Sequence, residues 1–185
     1  MKIRVCGMDP SMRNWGIARG TLDLDSGELS DVSLLVVCPK DLKGKQVRQN
    51  SSDLHLCHQL AEVVLPEARK AQAIFVEVPV GSQSARSMAS YGFCVGVLGA
   101  VRAEGIPLIE VTALEVKLAF SGKKDATKTQ MIEAGLAQYP NADWPKHNGA
   151  VSEAKAEHVA DALGAIHAGV NTPMFQNLMR LFAKV

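Results

Sequence analysis

The sequence predicts an α/β fold, a mixed five-stranded sheet with helices on both faces. The first observation is that three strand-like runs open the chain and are separated by turn residues. The second is that strand-like and helix-like segments alternate afterwards, which is typical of β-α units. The third is the run Ala73–Val80, which is short and almost continuously apolar, as in a strand buried on both faces. The 185 residues fit a single domain, 1–185.

The first part of the chain is predicted to be an antiparallel meander followed by a helix. The expected strands are Lys2–Met8, Trp15–Leu24 and Asp31–Cys38. Asp25-Ser26-Gly27 supplies the turn chemistry between the second and third strands. After a polar segment, Asp53 is expected to cap a helix that runs to about Lys70. Pro66 is expected to kink or shorten this helix.

The rest of the chain is predicted to alternate between strands and helices. A fourth strand lies in Ala73–Val80 and a fifth at Leu108–Val111. Helices are expected at Ser84–Glu104, from Thr112 to about Phe120, from Thr127 to about Tyr139, from Ser152 to about Ala168, and after Pro173. Residues 141–149 are predicted to form a loop.

Composition places the chain among ordinary globular proteins, with 47% hydrophobic and 21% charged residues. The formal net charge of +1 neither indicates nor excludes DNA binding, because acidic residues at a metal site cancel basic residues elsewhere. No apolar run has the length of a membrane helix or a signal peptide, so we expect no membrane partner and a cytoplasmic location. Without a CxxC pair, Cys6 and Cys94 are predicted to be buried free thiols.

The first candidate site residue is Asp9, in Gly7-Met8-Asp9-Pro10-Ser11. Pro10 cannot donate a backbone hydrogen bond, so the first strand should end there and leave Asp9 at its tip. An ordinary turn aspartate is the alternative, and this segment alone fits that alternative better. A functional role requires other acidic residues that converge on Asp9.

The second candidate is Glu77, in the apolar run Val76-Glu77-Val78-Pro79. An ionised carboxylate in a buried strand is costly unless it is paired or binds a metal. Neither neighbour in the sequence offers a cation. A functional site is therefore the favoured interpretation of Glu77.

The third candidate pair is His158 with Asp161, in Glu157-His158-Val159-Ala160-Asp161. Residues three apart lie on one face of a helix. The neighbouring small residues Ala160, Ala162, Gly164 and Ala165 should let this helix approach the sheet closely. A solvated polar helix face is an equally good interpretation of this segment alone. Glu157 is expected to point elsewhere.

A group of lysines precedes this helix: Lys117, Lys123, Lys124 and Lys128. Their position favours contacts with phosphate groups. Ordinary solvated lysines are the alternative.

These segments, taken in order, resemble the RuvC-type Holliday-junction resolvases, from about Ile3 to Ala168. Asp9-Pro10 with Arg13 and Gly16 resembles the opening segment of the family. Val76-Glu77, Ser84-Ala85-Arg86-Ser87 and Gly92 resemble the second segment, and Val116-Lys117 with Thr127-Lys128-Thr129-Gln130 the third. His158-Val159-Ala160-Asp161-Ala162-Leu163 resembles the last. Family members often carry an aromatic residue at the position that is Val80 here.

The resemblance implies an RNase H-like fold, a homodimer and a metal-dependent crossover junction endodeoxyribonuclease. Such an enzyme makes paired nicks in four-way DNA junctions, and a virus-encoded relative acting on broader branched DNA in a host cytoplasm also fits. The resemblance further implies that the catalytic residues and metal ligands are Asp9, Glu77, His158 and Asp161. Their metal would be Mg2+, with Mn2+ able to substitute. The implied DNA contacts are Lys117, Lys128, Lys124 and Arg86.

Three other functions remain open at this stage. An RNase H acting on RNA–DNA hybrids would share the acidic residues. An actin-like ATPase also begins with a strand that ends in aspartate, but it needs two such domains. A non-catalytic module that binds branched DNA would not need Glu77 in an apolar strand.

Overall fold

The computed structural model describes residues 1–44 and 47–182. Its main sheet contains β1 (Lys2–Asp9), β2 (Trp15–Asp23), β3 (Leu29–Val37), β4 (Ala73–Glu77) and β5 (Leu108–Val111). The strand order is β3-β2-β1-β4-β5. The first three strands pair antiparallel, whereas β4 pairs parallel with both β1 and β5. The predicted mixed five-stranded sheet is confirmed.

Six helices are present in the described residues: α1 (Gln49–Ala68), α2 (Ala85–Ala103), α3 (Ala113–Ser121), α4 (Lys128–Gln138), α5 (Glu153–Gly169) and α6 (Pro173–Phe182). Three of the expected starts are set by side-chain caps. Ser84 caps α2, while Thr112 and Thr127 form capping boxes with Glu115 and Gln130. Ser152 precedes α5 without a side-chain cap bond.

The prediction of a helix capped by Asp53 was wrong. Helix α1 begins four residues earlier, at Gln49, and Asp53 lies inside it. Pro66 falls in the last turn of α1, which continues to Ala68. The prediction of a plain loop at 141–149 was also wrong, because β6 (Lys146–His147) and β7 (Ala150–Val151) form a short hairpin there.

The core has two halves, one on each face of the sheet, as predicted. Residues alternate between faces along a strand, so Val5 and Phe75 belong to one half, and Met8 and Val76 to the other. Helices α3, α4 and α5 cover the first half. Helices α1 and α2 cover the second.

Two further expectations can be compared with the structure. Cys6 and Cys94 are buried and free, as predicted, and Cys38 and Cys57 are also free. None of the helices in residues 1–44 and 47–182 combines the length and apolar character needed to cross a bilayer.

Two arginine–carboxylate pairs join α1 to α2, one at each end of the helix pair. At the start, Arg86 donates to both carboxylate oxygens of Asp53 at 2.7 and 2.6 Å. Asp53 is only 2% exposed, and Arg86 holds its pKa below the ordinary range, despite the opposing effect of burial. At the other end, Arg69 makes the same two-bond contact with the more exposed Glu104.

We predict that Arg86→Ala lowers the free energy of unfolding by about 2–3 kcal/mol, because it leaves the Asp53 carboxylate buried with only Gln49 as a partner. Arg69→Ala is the matched control and should cost no more than about 1 kcal/mol, since solvent screens that pair. Urea unfolding of both variants at neutral pH is the measurement. Equal losses would contradict the structural role of Arg86.

Candidate active site

The strand pleat places Asp9 and Glu77 on the same face of the sheet. Asp9 ends β1, and Glu77 ends β4, the parallel neighbour of β1. Met8 is paired with Val76, so the two acidic residues follow at the next position of the same register. Because Phe75 faces the half of the core covered by α5, Glu77 two residues later faces α5 as well. Asp9 shares that face with Val5.

Two glycines allow α5 to lie directly against the sheet. A Cβ atom on Gly7 would be 2.0 Å from the carbonyl oxygen of Ala162. A Cβ atom on Gly16 would be 2.1 Å from the carbonyl oxygen of His158. Neither position can hold a larger residue unless the helix backbone moves. The predicted close approach of this helix is present. It depends on the two strand glycines as well as on the small residues of the helix.

This approach brings His158 onto Asp9. Nδ1 of His158 lies 2.6 Å from Oδ2 of Asp9, and each side chain is only 17% exposed. Burial by itself would lower the pKa of His158. The hydrogen bond and charge of Asp9, together with Glu157 and Asp161, outweigh burial and raise the pKa.

Glu77 and Asp161 complete a partly buried acidic cluster with Asp9. Burial, followed by the charge of Asp9, raises the pKa of Glu77 to about 7, against a smaller opposing effect of Lys117. Burial, then Asp9 and Glu77, raises the pKa of Asp161 to about 7. The shifts mean that the carboxylates lie within electrostatic range of one another and lack full compensation by cations.

Glu157 lies at the site, whereas the sequence analysis expected its side chain to point elsewhere. One carboxylate oxygen lies 2.6 Å from Nζ of Lys128, and the other lies 3.5 Å from Nε2 of His158. The chain of contacts therefore runs from Lys128 through Glu157 and His158 to Asp9. The i, i+3 spacing of His158 and Asp161 could not reveal the role of Glu157. Glu157 directly precedes His158 in the sequence, and its contact with Lys128 depends on the position of α4.

A cavity of about 280 Å³ opens beside these residues. Asp9, Glu77 and His158 line it, together with Tyr91, Pro10-Ser11 and the loop residues Pro79, Val80 and Gly81. Val80, in that loop, is 93% exposed. The cavity is therefore lined in part by an exposed apolar side chain.

The donor set fits a divalent cation. Within residues 1–44 and 47–182, no three His, Cys, Asp or Glu side chains already have their ligand atoms gathered around one point. The chemistry nevertheless matches, because oxygen ligands suit Mg2+, and an imidazole nitrogen is accepted by Mn2+. A cation would also offset the repulsion that raises the pKa of Glu77 and Asp161.

The predicted DNA contacts do not all lie together. Lys117 is half-buried, and its charge reaches Glu77. Lys128 is bound to Glu157. Lys124 is exposed in the loop between α3 and α4. Arg86 is bound to Asp53 between α1 and α2, so its visible role is structural.

Comparison with known proteins gives one sequence relative and several similar structures. The chain is 33% identical over 129 residues to the crossover junction endodeoxyribonuclease RuvC of Anaeromyxobacter dehalogenans (strain 2CP-C). That match covers 69% of this chain and 65% of the relative, slightly less than two thirds of its length. No protein-family model matches the chain.

Two solved structures extend the comparison to almost the whole chain. RuvC of T. thermophilus in complex with a Holliday junction substrate has a TM-score of 0.64 at 19% identity and covers 96% of both chains. The yeast mitochondrial Holliday junction resolvase Ydc2 has a TM-score of 0.57 at 13% identity, covering 96% of this chain and 85% of its own. At these identities the similarity shows a shared fold. The chain is therefore similar in sequence, over part of its length, to a RuvC crossover junction endodeoxyribonuclease, and it has the RNase H-like fold of the solved RuvC structures.

Proposed function

We propose that this chain is a metal-dependent endodeoxyribonuclease that resolves four-way (Holliday) junctions by paired nicking. The observation that carries the proposal is the convergence of Asp9, Glu77, His158 and Asp161 at one edge of the sheet, beside an open cavity. Homology to RuvC supports the choice of substrate. The reaction would take place in the cytoplasm of a bacterium or of a virus-infected host.

Asp9, Glu77 and Asp161 would hold Mg2+, with His158 beside them and Mn2+ able to substitute. A bound divalent cation supplies activation of the attacking water and stabilisation of the leaving oxygen. Asp9 fixes the imidazole of His158 through Nδ1, while Nε2 faces Glu157 at 3.5 Å, so a water or a metal at Nε2 would share that position with Glu157. Lys117 would stabilise negative charge on the phosphate beside Glu77.

Lys128 would act through Glu157 as well as through DNA. Its pairing with Glu157 raises the pKa of Lys128, so the ammonium group remains charged. A phosphate that enters the cavity would compete for this ammonium group. Lys124, which is exposed nearby in sequence, would add a positioning contact.

The homodimer would use the exposed face of α2. Gly92, Gly96 and Gly99 lie on this helix, and a Cβ atom on any of them would meet nothing within 4 Å. Glycine inside a helix costs about 1 kcal/mol relative to alanine. Because the fold of the single chain gives no steric reason for these glycines, we infer that a second copy of α2 packs against them.

A cleavage panel tests the proposed function directly. Labelled four-way junction, flap, linear duplex and RNA–DNA hybrid are incubated with the protein in Mg2+ and in Mn2+. We expect paired nicks in the four-way junction. Cleavage of the hybrid alone would support an RNase H, and junction binding without cleavage in either metal would support a non-catalytic module.

We predict that Asp9→Asn lowers the cleavage rate roughly 1000-fold while junction affinity stays within a few-fold, because phosphate contacts supply most of the affinity. The exposed carboxylate of Asp31 provides the control Asp31→Asn, which should cut at the wild-type rate. Single-turnover cleavage and gel-shift titration measure the two effects. A wild-type rate in Asp9→Asn would overturn the site assignment.

We predict that the contribution of Glu77 and Asp161 to the stability of the metal-free protein falls as the pH rises from about 4 to 7. Glu77 and Asp161 keep their protons to about pH 7 in the fold, whereas the unfolded chain releases them near pH 4. The native state then binds more protons, and the free energy of unfolding falls with pH. The raised pKa of His158 acts in the same direction above its unfolded value.

Thermal unfolding with EDTA and with Mg2+ measures this effect without any activity assay. Mg2+ should raise the melting temperature much more at pH 7.5 than at pH 5, since it binds deprotonated ligands. The double variant Glu77→Gln/Asp161→Asn should lose both the pH trend and the Mg2+ effect. An equal Mg2+ effect at both pH values would contradict the assignment of these two ligands.

We predict that Gly96→Gln converts the dimer to a monomer while leaving the fold of each chain intact or stabilised by up to about 1 kcal/mol. Light scattering at micromolar protein gives the oligomeric state, and circular dichroism gives the stability. Leu54→Gln, on the exposed surface of α1, is the control that should remain dimeric. A Gly96→Gln variant that is still dimeric would exclude this face.

A further inference from the structure

The β6–β7 hairpin has no part in the site described above. Every residue from Lys146 to Ala150 is exposed, so the hairpin contributes little to the core. Asn148 and Gly149 form its turn with φ of +50° and +82°. Positive φ at both central residues is the mark of a type I′ turn, which matches the twist of a two-stranded hairpin. The chain therefore builds an ordered element whose side chains face solvent.

The hairpin is held firmly at its base. The amide of Ser152 donates to the carbonyl of Pro145 and closes the hairpin. Just before it, Trp144 is 4% exposed, packs against Gly135 and donates through Nε1 to the carbonyl of Tyr139. Asp143 accepts a hydrogen bond of 2.6 Å from the amide of Leu34 in β3. These contacts fix the base of the hairpin against β3 and α4.

The base of the hairpin lies close to His158. His158 lies over Gly16 in β2, Ala162 over Gly7 in β1 and Gly169 against Phe75 in β4, so α5 crosses the sheet obliquely. The start of α5 therefore lies on the side of β2 and β3. Ser152 precedes His158 by six residues, which places the hairpin base about 9 Å along the helix axis from His158.

The segment 143–155 carries two exposed lysines and two exposed acids. Lys146 lies in β6 beside His147, and Lys155 follows in the first turn of α5. Of the acids, Asp143 accepts the amide of Leu34, and Glu153 begins α5. In the described part of the chain, no hydrogen bond or ion pair engages the side chain of Lys146. Lys128, by contrast, is held by Glu157. A cation that is rigidly placed and unpaired is suited to a phosphate.

We propose that the β6–β7 hairpin is a second DNA contact, which binds the phosphate backbone of the arm next to the cleaved phosphate through Lys146, with His147 and Lys155 beside it. This proposal rests on the proposed nuclease function. Lys146 pairs with Val151 at the base of the hairpin, so about one strand residue, roughly 3 Å, adds to the roughly 9 Å of helix, and Lys146 lies at most about four base-pair steps from His158. It would set the register of the arm without reading its sequence.

The salt dependence of binding tests this contact. Junction affinity of the wild-type chain, Lys146→Ala, Lys146→Arg and Lys2→Ala is measured in EDTA, between about 50 and 200 mM salt. We expect Lys146→Ala to weaken binding roughly three- to tenfold and to lower the slope of log affinity against log salt by about 0.9. Lys146→Arg should restore both values.

Lys2→Ala is the matched control. It removes one exposed lysine from the start of β1, at the opposite edge of the sheet, and should leave the slope unchanged. Equal slopes for Lys146→Ala and the wild type would overturn the hairpin contact. If the slope changes but the wild-type chain cuts no branched DNA in Mg2+ or Mn2+, the hairpin contact stands and the nuclease proposal fails.

Discussion

The backbone contact between α5 and the first two strands is the constraint on which the candidate site depends. Gly7 and Gly16 leave no room for a Cβ atom, so the helix backbone rests on the sheet itself. At that distance His158, about one and a half turns from the start of α5, reaches the tip of β1 and lies 2.6 Å from Asp9. A side chain on either glycine would push the helix away. Such overpacking typically lowers the free energy of unfolding by about 1–3 kcal/mol. The glycines carry no functional group, but they allow α5 to place His158 beside Asp9.

The same approach imposes an electrostatic cost on the fold. Asp9, Glu77 and Asp161 are brought into a partly buried space, where burial and mutual repulsion raise the pKa of the last two to about 7. A structural protein would pair such groups, as this chain does with Asp53 and Arg86 in the other half of its core. The contrast between a fully paired buried carboxylate and an under-compensated cluster separates the structural acid from the candidate functional ones. His158 supplies only part of the missing positive charge.

The sequence was sufficient for those features that depend on local patterns. The strand end at Asp9, the capped starts of α2, α3 and α4, and the small-residue helix α5 all follow from periodicity, turn chemistry and caps. The fourth strand was predicted to run to Val80, whereas β4 ends at Glu77. Features that depend on a partner distant in the chain were missed. Asp53 looked like a cap because its partner Arg86 is 33 residues away. The contact of Glu157 with Lys128 requires α4 and α5 to lie side by side, and the hairpin depends on two strands of two residues each, too short to give a period.

The connection between Glu77 and α2 links the proposed metal site to the proposed dimer face. Only residues 78–84 separate the end of β4 from the start of α2, so the acidic residue and the proposed dimer helix are joined by one short loop. That loop carries Val80 at the rim of the cavity. On the other side of Asp9, α5 connects His158 to the hairpin at the side of β2 and β3. A DNA arm that enters the cavity would then be bounded by an element tied to the proposed dimer face on one side and by the hairpin that carries Lys146 on the other. In the proposed dimer, the second subunit would be connected to the acidic site through the loop of seven residues, 78–84, between β4 and α2.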